Sequence, residues 1–263
     1  MDTPTLALYT LLAVVSFALA FHGAAAGLQL GQLRQPLLLY AMPTPASAAA
    51  VNLAVSGMGA LAAAVGHARG GRIVWRVFGL LGAFSLAGGL LGAWLLLRTD
   101  LSWARLLIGG FLTYTAWAML RSARQELTPA APPSTRALAI EALACLGLGM
   151  LAAFTGLMLG SLRLPRMIQN LGMEPRQAVG TNLAVGCLTA LTSASALWAQ
   201  DGSPVLGTIL VLAAPTVAGG LLGAAWAGRL DRASLTRLVG WTLAVVGLLM
   251  MAHGVHGITW PPG

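Results

Sequence analysis

The feature that most constrains this chain is a row of long apolar runs. Eight stretches qualify, at roughly 5–27, 46–66, 74–97, 102–120, 137–156, 177–199, 205–228 and 238–258. A helix needs about 20 predominantly apolar residues to cross a hydrocarbon core about 30 Å thick. In lipid every backbone N–H and C=O must be satisfied within the protein, so runs of this length fold as helices. The alternation of a membrane β-barrel is absent. Only 8% of the residues are charged, whereas a soluble domain carries roughly 25%. The expected class is an all-α, multi-pass integral membrane protein whose first partner is the lipid bilayer. An ordinary soluble enzyme and a disordered tail are excluded.

The formal net charge of +8 does not point to nucleic acid. All 15 basic residues are arginine, and they lie between apolar runs rather than forming a basic face. That placement suits anchoring of membrane loops and not a nucleic-acid footprint. Cys145 and Cys187 sit inside apolar runs without C-x-x-C spacing and read as small apolar fillers. No H-E-x-x-H box or nucleophile–base set is present. No metal, no cofactor and no enzymatic activity are expected. The first run is preceded by Asp2 and no basic residue, so it reads as a retained helix rather than a signal peptide. Trp75, Trp103, Trp198 and Trp260 stand near segment ends, where interfacial anchoring is expected.

Two apolar pieces, Leu28–Met42 and Leu157–Gly172, are too short for the count, and each carries an Arg before a Pro. They become interpretable through an internal repeat. The run Gly27–Pro36 (GLQLGQLRQP) aligns with Gly156–Pro165 (GLMLGSLRLP) at an offset of 129 residues. Asn52-Leu53-Ala54-Val55 aligns with Asn182-Leu183-Ala184-Val185 at 130, and the AGGLLGA block at Ala87–Ala93 aligns with Ala218–Ala224 at 131. Three blocks in one order, each drifting by a residue, mark a duplication. The expected organisation is a first membrane repeat over 1–120, a polar Pro-rich linker over 121–136 and a second membrane repeat over 137–263.

Charge then orients the halves. The loop Gly66–Arg76 carries Arg69, Arg72 and Arg76, whereas its counterpart Gln200–Pro204 has Asp201 and no Arg. By the positive-inside rule the two loops face opposite sides, which makes the repeats inverted. Inversion requires an odd number of passes per half, so each half is expected to hold four long helices plus one short broken segment. The loop 66–76, the linker and Arg229–Arg237 then lie inside, and only Arg98 and Arg105 fall on the other side. The competing arrangement makes the short pieces re-entrant hairpins, four plus four in parallel, and puts Arg229, Arg232 and Arg237 outside.

Paired broken segments in inverted repeats point to a transporter's site near the midplane. Here each contains an arginine, Arg34 and Arg163. A guanidinium stays charged, offers five donors in a planar fork, and costs at least about 2.5–3.5 kcal/mol at membrane depth. A translocated oxyanion, bound through bidentate charge-assisted hydrogen bonds, would offset that cost. The alternative is that each Arg snorkels or binds a backbone carbonyl. Asn52 and Asn182 occupy matching places in the next helices and Thr181 precedes the second; they line the pathway or glue the bundle. Gln32 and Ser161 are weaker lining candidates, as are Gln29, Gln169 and Asn170. Helices starting near Pro45 and Pro175 are expected to aim their dipoles at the same anion. Glu141 is the candidate for proton coupling, or else pairs with an Arg; a coupling proton or cation and the oligomeric state are left open.

The stretch Pro165–Val185 (PRMIQNLGMEPRQAVGTNLAV), the loop GHARGGRIVWR, the AGGLLGA blocks and the duplicated plan resemble the sulfite exporter TauE/SafE family. The similarity runs over nearly the whole chain. It implies a permease of the bacterial cytoplasmic membrane that moves sulfite, sulfonates or other small organic anions, usually outward. The chain departs from the family in carrying Arg34 and Arg163 where apolar residues are usual, which favours an anion without choosing one. An alternating-access transporter is the first expectation and an anion channel the alternative.

Overall fold

The computed structural model describes residues 3–26, 30–99, 101–122, 134–201, 206–226 and 232–259. Ten α-helices and no strand are found among them. They are α1 (Thr3–Ala26), α2 (Gln35–Ala41), α3 (Pro45–Arg69), α4 (Trp75–Leu96), α5 (Leu101–Ser122), α6 (Thr135–Thr155), α7 (Gly160–Gln169), α8 (Pro175–Asp201), α9 (Leu206–Ala225) and α10 (Arg232–Thr259). A short 3-10 turn, Leu30–Leu33, precedes α2. The eight long helices match the eight apolar runs. Five of them, α3, α4, α6, α8 and α9, are long and apolar enough to cross a membrane by length and composition.

The packing repeats itself. The pair α1 and α9 has its counterpart in α6 and α4, and α3 on α9 in α8 on α4. The pairs α3–α8 and α5–α10 are their own counterparts. Exchanging the halves therefore leaves the contact pattern unchanged. The central pair α3–α8 is the most buried, while Leu90, Leu91, Trp94, Trp117, Leu221 and Leu222 face outward, as lipid-bathed positions do.

Close approaches fix the helix directions. Gly219 and Gly223 of α9 abut the carbonyls of Phe17 and Phe21 of α1. Earlier on both helices, Tyr9 Oη lies 3.1 Å from Thr208 Oγ1, so the two run the same way. Their mates behave alike: Gly88 and Gly92 of α4 abut the carbonyls of Leu146 and Met150 of α6. A Cβ at any of these four glycines would collide with backbone, so the AGGLLGA blocks are small-residue faces for close helix approach. On its other flank α4 runs with α8, Gly82 facing Leu188 and Gly89 facing Ser193. By contrast α3 opposes α8, with Gly57 against Leu191 and His67 against Gly180. Likewise α5 opposes α10, with Gly254 against Leu106 and Gly240 against Leu120.

These directions settle the parity. Helices α4, α6 and α8 share one direction and α3 takes the other. Four residues join α8 to α9, so α9 starts where α8 ends and returns, and α1 follows it. Hence α1 opposes α6 and the repeats are inverted. Within each half, α1 runs with α3 and α6 runs with α8. The segment between them must bring the chain back. A ten-residue α7 rises only about 15 Å, so unwound residues complete that return. Re-entrant hairpins would make α1 oppose α3, which is not what is seen.

The first return is broken between the 3-10 turn and α2, with Arg34 as the N-cap and Pro36 in the first turn. The second starts at Gly156, a left-handed C-cap of α6 (φ 72°) that a glycine adopts freely, and keeps Pro165 inside α7. The α3 N-terminus carries its own capping box, Ser47 N donating to Thr44 Oγ1 at 2.9 Å and Thr44 N to Ser47 Oγ at 3.1 Å. Arg34's contacts on α3 begin two turns later, at Asn52.

Candidate functional site

Arg34 is 1% exposed and holds four contacts. Its Nε donates to Asn52 Oδ1 at 2.9 Å, Nη1 to Ser16 Oγ at 3.0 Å, and Nη2 to Ser56 Oγ at 2.8 Å and Asn52 O at 3.3 Å. Asn52 and Ser56 lie roughly 10–17 Å along α3 at 1.5 Å per residue, near its middle. Snorkelling to an interface is therefore not what this side chain does. Arg163, 4% exposed, repeats the arrangement. Its Nε donates to Asn182 Oδ1 at 2.8 Å and Nη1 to Ser85 Oγ at 3.3 Å. The Cys145 thiol, at the repeat position of Ser16, lies against the same guanidinium.

The two asparagines position the arginines. Each turns its amide oxygen to an arginine and its amide nitrogen to a carbonyl of a broken segment. Asn182 Nδ2 donates to Gly160 O at 3.0 Å, within its own half. Asn52 Nδ2 donates to Gly156 O at 2.7 Å, across to the other half.

All these partners are neutral. Among the described residues no carboxylate pairs with either arginine. Burying an unpaired ion costs several kcal/mol even after relaxation, and hydrogen bonds to a charged group return only about 1.5–3 kcal/mol each. Each half therefore buries one guanidinium among neutral partners.

Each arginine lines a cavity. Arg34 borders one of about 60 Å³, with Ser16, Ser56, Gly59, Ala63, Thr216 and Gly220 among its walls. It extends along the C-terminal halves of α1 and α3, toward the Arg-rich loop after α3. Arg163 borders one of about 10 Å³, with Ser85, Gly186, Thr189 and Ala190. A single water needs roughly 10–15 Å³, so the second is nearly closed. Except for Leu157 and Met158, every residue lining the smaller cavity has a repeat mate lining the larger, and Met158 lines both.

The other candidates disperse. Thr181 Oγ1 accepts from Val74 N at 3.0 Å and ties the loop before α4 to α8, away from both arginines. Gln32 is buried, with Nε2 3.4 Å from Met119 Sδ. Ser161 faces a separate cavity of about 400 Å³ bordered by Phe111, Tyr114 and Arg166. Glu141 forms a bidentate pair with Arg166 (2.8 and 3.0 Å) and accepts from Asn170 Nδ2 at 2.7 Å, docking α7 on α6. Gln29 lies outside the described residues.

Sequence reasoning missed Ser16, Ser56, Ser85 and Gln35. Gln35 is fully buried beside Gly156, with neither amide atom partnered among the described residues. A signal existed for Ser85. It precedes its AGGLLGA block by two residues, as Thr216 precedes the other.

A family model described as Sulfite exporter TauE/SafE matches residues 12–250. The chain belongs to the sulfite exporter TauE/SafE family. No curated protein and no solved structure matches it. TauE/SafE members are membrane transporters rather than enzymes, and membership makes this chain a multi-pass permease of an anion-exporter family.

Proposed function

We propose that the chain is a secondary transporter, working as an exporter, of a small sulfur-containing or organic anion such as sulfite or a sulfonate. It sits in the bacterial cytoplasmic membrane and works by alternating access around a midplane site. The observation that carries the reading is Arg34, buried near the middle of the bundle with neutral partners only, on the wall of the larger cavity. An oxyanion entering there meets a guanidinium fork in a low dielectric, where charge-assisted bonds are strongest. Ser16, Ser56 and Thr216 supply hydroxyls around it, and Asn52 holds the fork in place.

Two further facts support alternating access. The halves are inverted, and their equivalent cavities differ in size, one able to hold several waters and the other at most about one. A channel needs a path continuous on both sides at once. Inverted repeats instead reach the two sides by exchanging conformations. By the positive-inside rule, the loop carrying Arg69, Arg72 and Arg76 is cytoplasmic, so the larger cavity is the inward one. Among the described residues no carboxylate stands at Arg34 or Arg163. Glu141 would first have to leave Arg166 and Asn170.

The test is uptake of labelled sulfite, taurine or sulfoacetate into proteoliposomes. Saturable flux that is lost in Arg34→Ala supports the reading. Flux of all three compounds unaltered by Arg34→Ala and Arg163→Ala overturns the site.

A further inference from the structure

We propose that Ser85, Thr189 and Ser193, with Arg163, form a second oxyanion site that opens on the opposite face when the first closes. This rests on the transport reading above and adds the residues of the outward route.

The argument starts from Ser193. Serine and threonine in membrane helices normally satisfy their hydroxyls on the carbonyl one turn back. Along α8 this is the rule: Thr189 donates to Val185 O at 2.8 Å, Thr192 to Leu188 O at 2.7 Å and Ser195 to Leu191 O at 2.9 Å. Ser193 breaks it. It is 1% exposed, and its Oγ has no partner among the described residues. Leaving a buried hydroxyl unsatisfied is destabilising, which calls for a state in which the group is satisfied.

The repeat supplies that state. The mates of Ser193 and Gly89 are Ala63 and Gly220, and both of these line the larger cavity. In the second half the same pair is pressed together: a Cβ on Gly89 would run into Ser193 Oγ. At Gly220 α9 still touches α3, a Cβ there lying 3.4 Å from Gly59 O, and the space lies beside Ala63; exchange of the two arrangements relieves the press of Ser193 on Gly89.

The route so opened is polar. Thr189 and Ser193 are four residues apart on one face of α8, roughly 6 Å along its axis. Ser85 Oγ accepts from Arg163 Nη1 at 3.3 Å and lies 2.9 Å from Thr189 Oγ1. One guanidinium and three hydroxyls thus form a line from the midplane toward the end of α8. The first half has Gly59 and Ala63 in place of Thr189 and Ser193, so its route is wider and less polar. The ligand class is a small anion able to accept several hydrogen bonds from one side.

The test is accessibility of single introduced thiols in oriented membrane vesicles, using a membrane-impermeant cationic methanethiosulfonate, with the unmodified chain as the baseline. Ala63→Cys is expected to label from the side of the loop carrying Arg72. Ser193→Cys is expected to label from the opposite side, at least fivefold faster while sulfite is being transported. Labelling of both from one side overturns the proposal, as does no labelling of Ser193→Cys in protein that transports. If no sulfite moves at all, the transport reading fails, while labelling from opposite sides still upholds the route.

A second measurement uses Gly89→Cys with Ser193→Cys, oxidised by copper phenanthroline. The cross-link is expected to form and to stop at least nine-tenths of the flux, with recovery on reduction. Undiminished flux in the cross-linked protein overturns the proposal.

Discussion

Asn52 reaches across the molecule to Gly156. Its Nδ2 donates to the Gly156 carbonyl at 2.7 Å while its Oδ1 accepts from Arg34 Nε at 2.9 Å. One amide therefore ties the arginine of the first half to the break that opens the short segment of the second. The equivalent amide, Asn182, stays within its own half. The two halves are thus joined by a hydrogen-bonded bridge at Arg34.

The most direct prediction concerns the arginines. Losing a charge-assisted contact worth about 1.5–3 kcal/mol corresponds to about 10- to 150-fold in affinity. Arg34→Ala is expected to raise the KM for the transported anion by that amount or to abolish flux. Arg34→Lys keeps the charge but not the planar fork, so it is expected to recover only part of the loss. Initial-rate flux in proteoliposomes, with melting of the purified variants as a control for folding, checks both.

Gly156 carries a structural prediction. A residue with a Cβ pays roughly 1–2 kcal/mol in the left-handed region. Here that Cβ would also stand 2.8 Å from Ala49 Cα. Gly156→Ala is therefore expected to lower stability by at least about 2 kcal/mol and to weaken the Asn52 link. Thermal unfolding in detergent measures it. A variant as stable as the parent would contradict the packing described.

Glu141 offers a test of coupling against docking. Its two oxygens are taken by Arg166 and Asn170, and Arg166 is 40% exposed, so solvent tempers the loss of the pair. Glu141→Gln is expected to cost about 1–2 kcal/mol of stability while leaving the pH dependence of flux in place. A flattened pH profile at unchanged stability would instead make Glu141 the coupling carboxylate.

Inverted halves place equivalent loops on opposite faces. A thiol introduced at Gly71 is expected to label only from the cytoplasm, and one at Gln200 only from outside. Labelling of both from one side would contradict the helix directions.

Much of this was legible in the sequence because a duplication doubles every signal. The apolar runs marked the long helices, and the drift of the blocks exposed the short segments that hydropathy alone would discard. Asn52 and Asn182 were visible as a pair for the same reason. Ser16 and Ser56 were not, because their mates are Cys145 and Gly186 and a lone serine in an apolar helix carries no mark. Thr181 was drawn in by its neighbour Asn182. Adjacent residues on a helix point about 100° apart, and Thr181 faces Val74 instead. Gln35 carries no repeat signal, because its mate is Leu164. Part of the unequal size of the two cavities is written in the sequence, since Gly23, Gly59 and Ala63 on the larger one stand where the second half has Ala152, Thr189 and Ser193.

Met158 borders both cavities. It is the residue shared by their walls. A thioether with three rotatable bonds makes a compliant wall rather than a rigid one, and it is oxidisable. Conversion to the sulfoxide would place a polar group in that shared wall. Oxidation at Met158 would therefore alter the walls of both cavities at once.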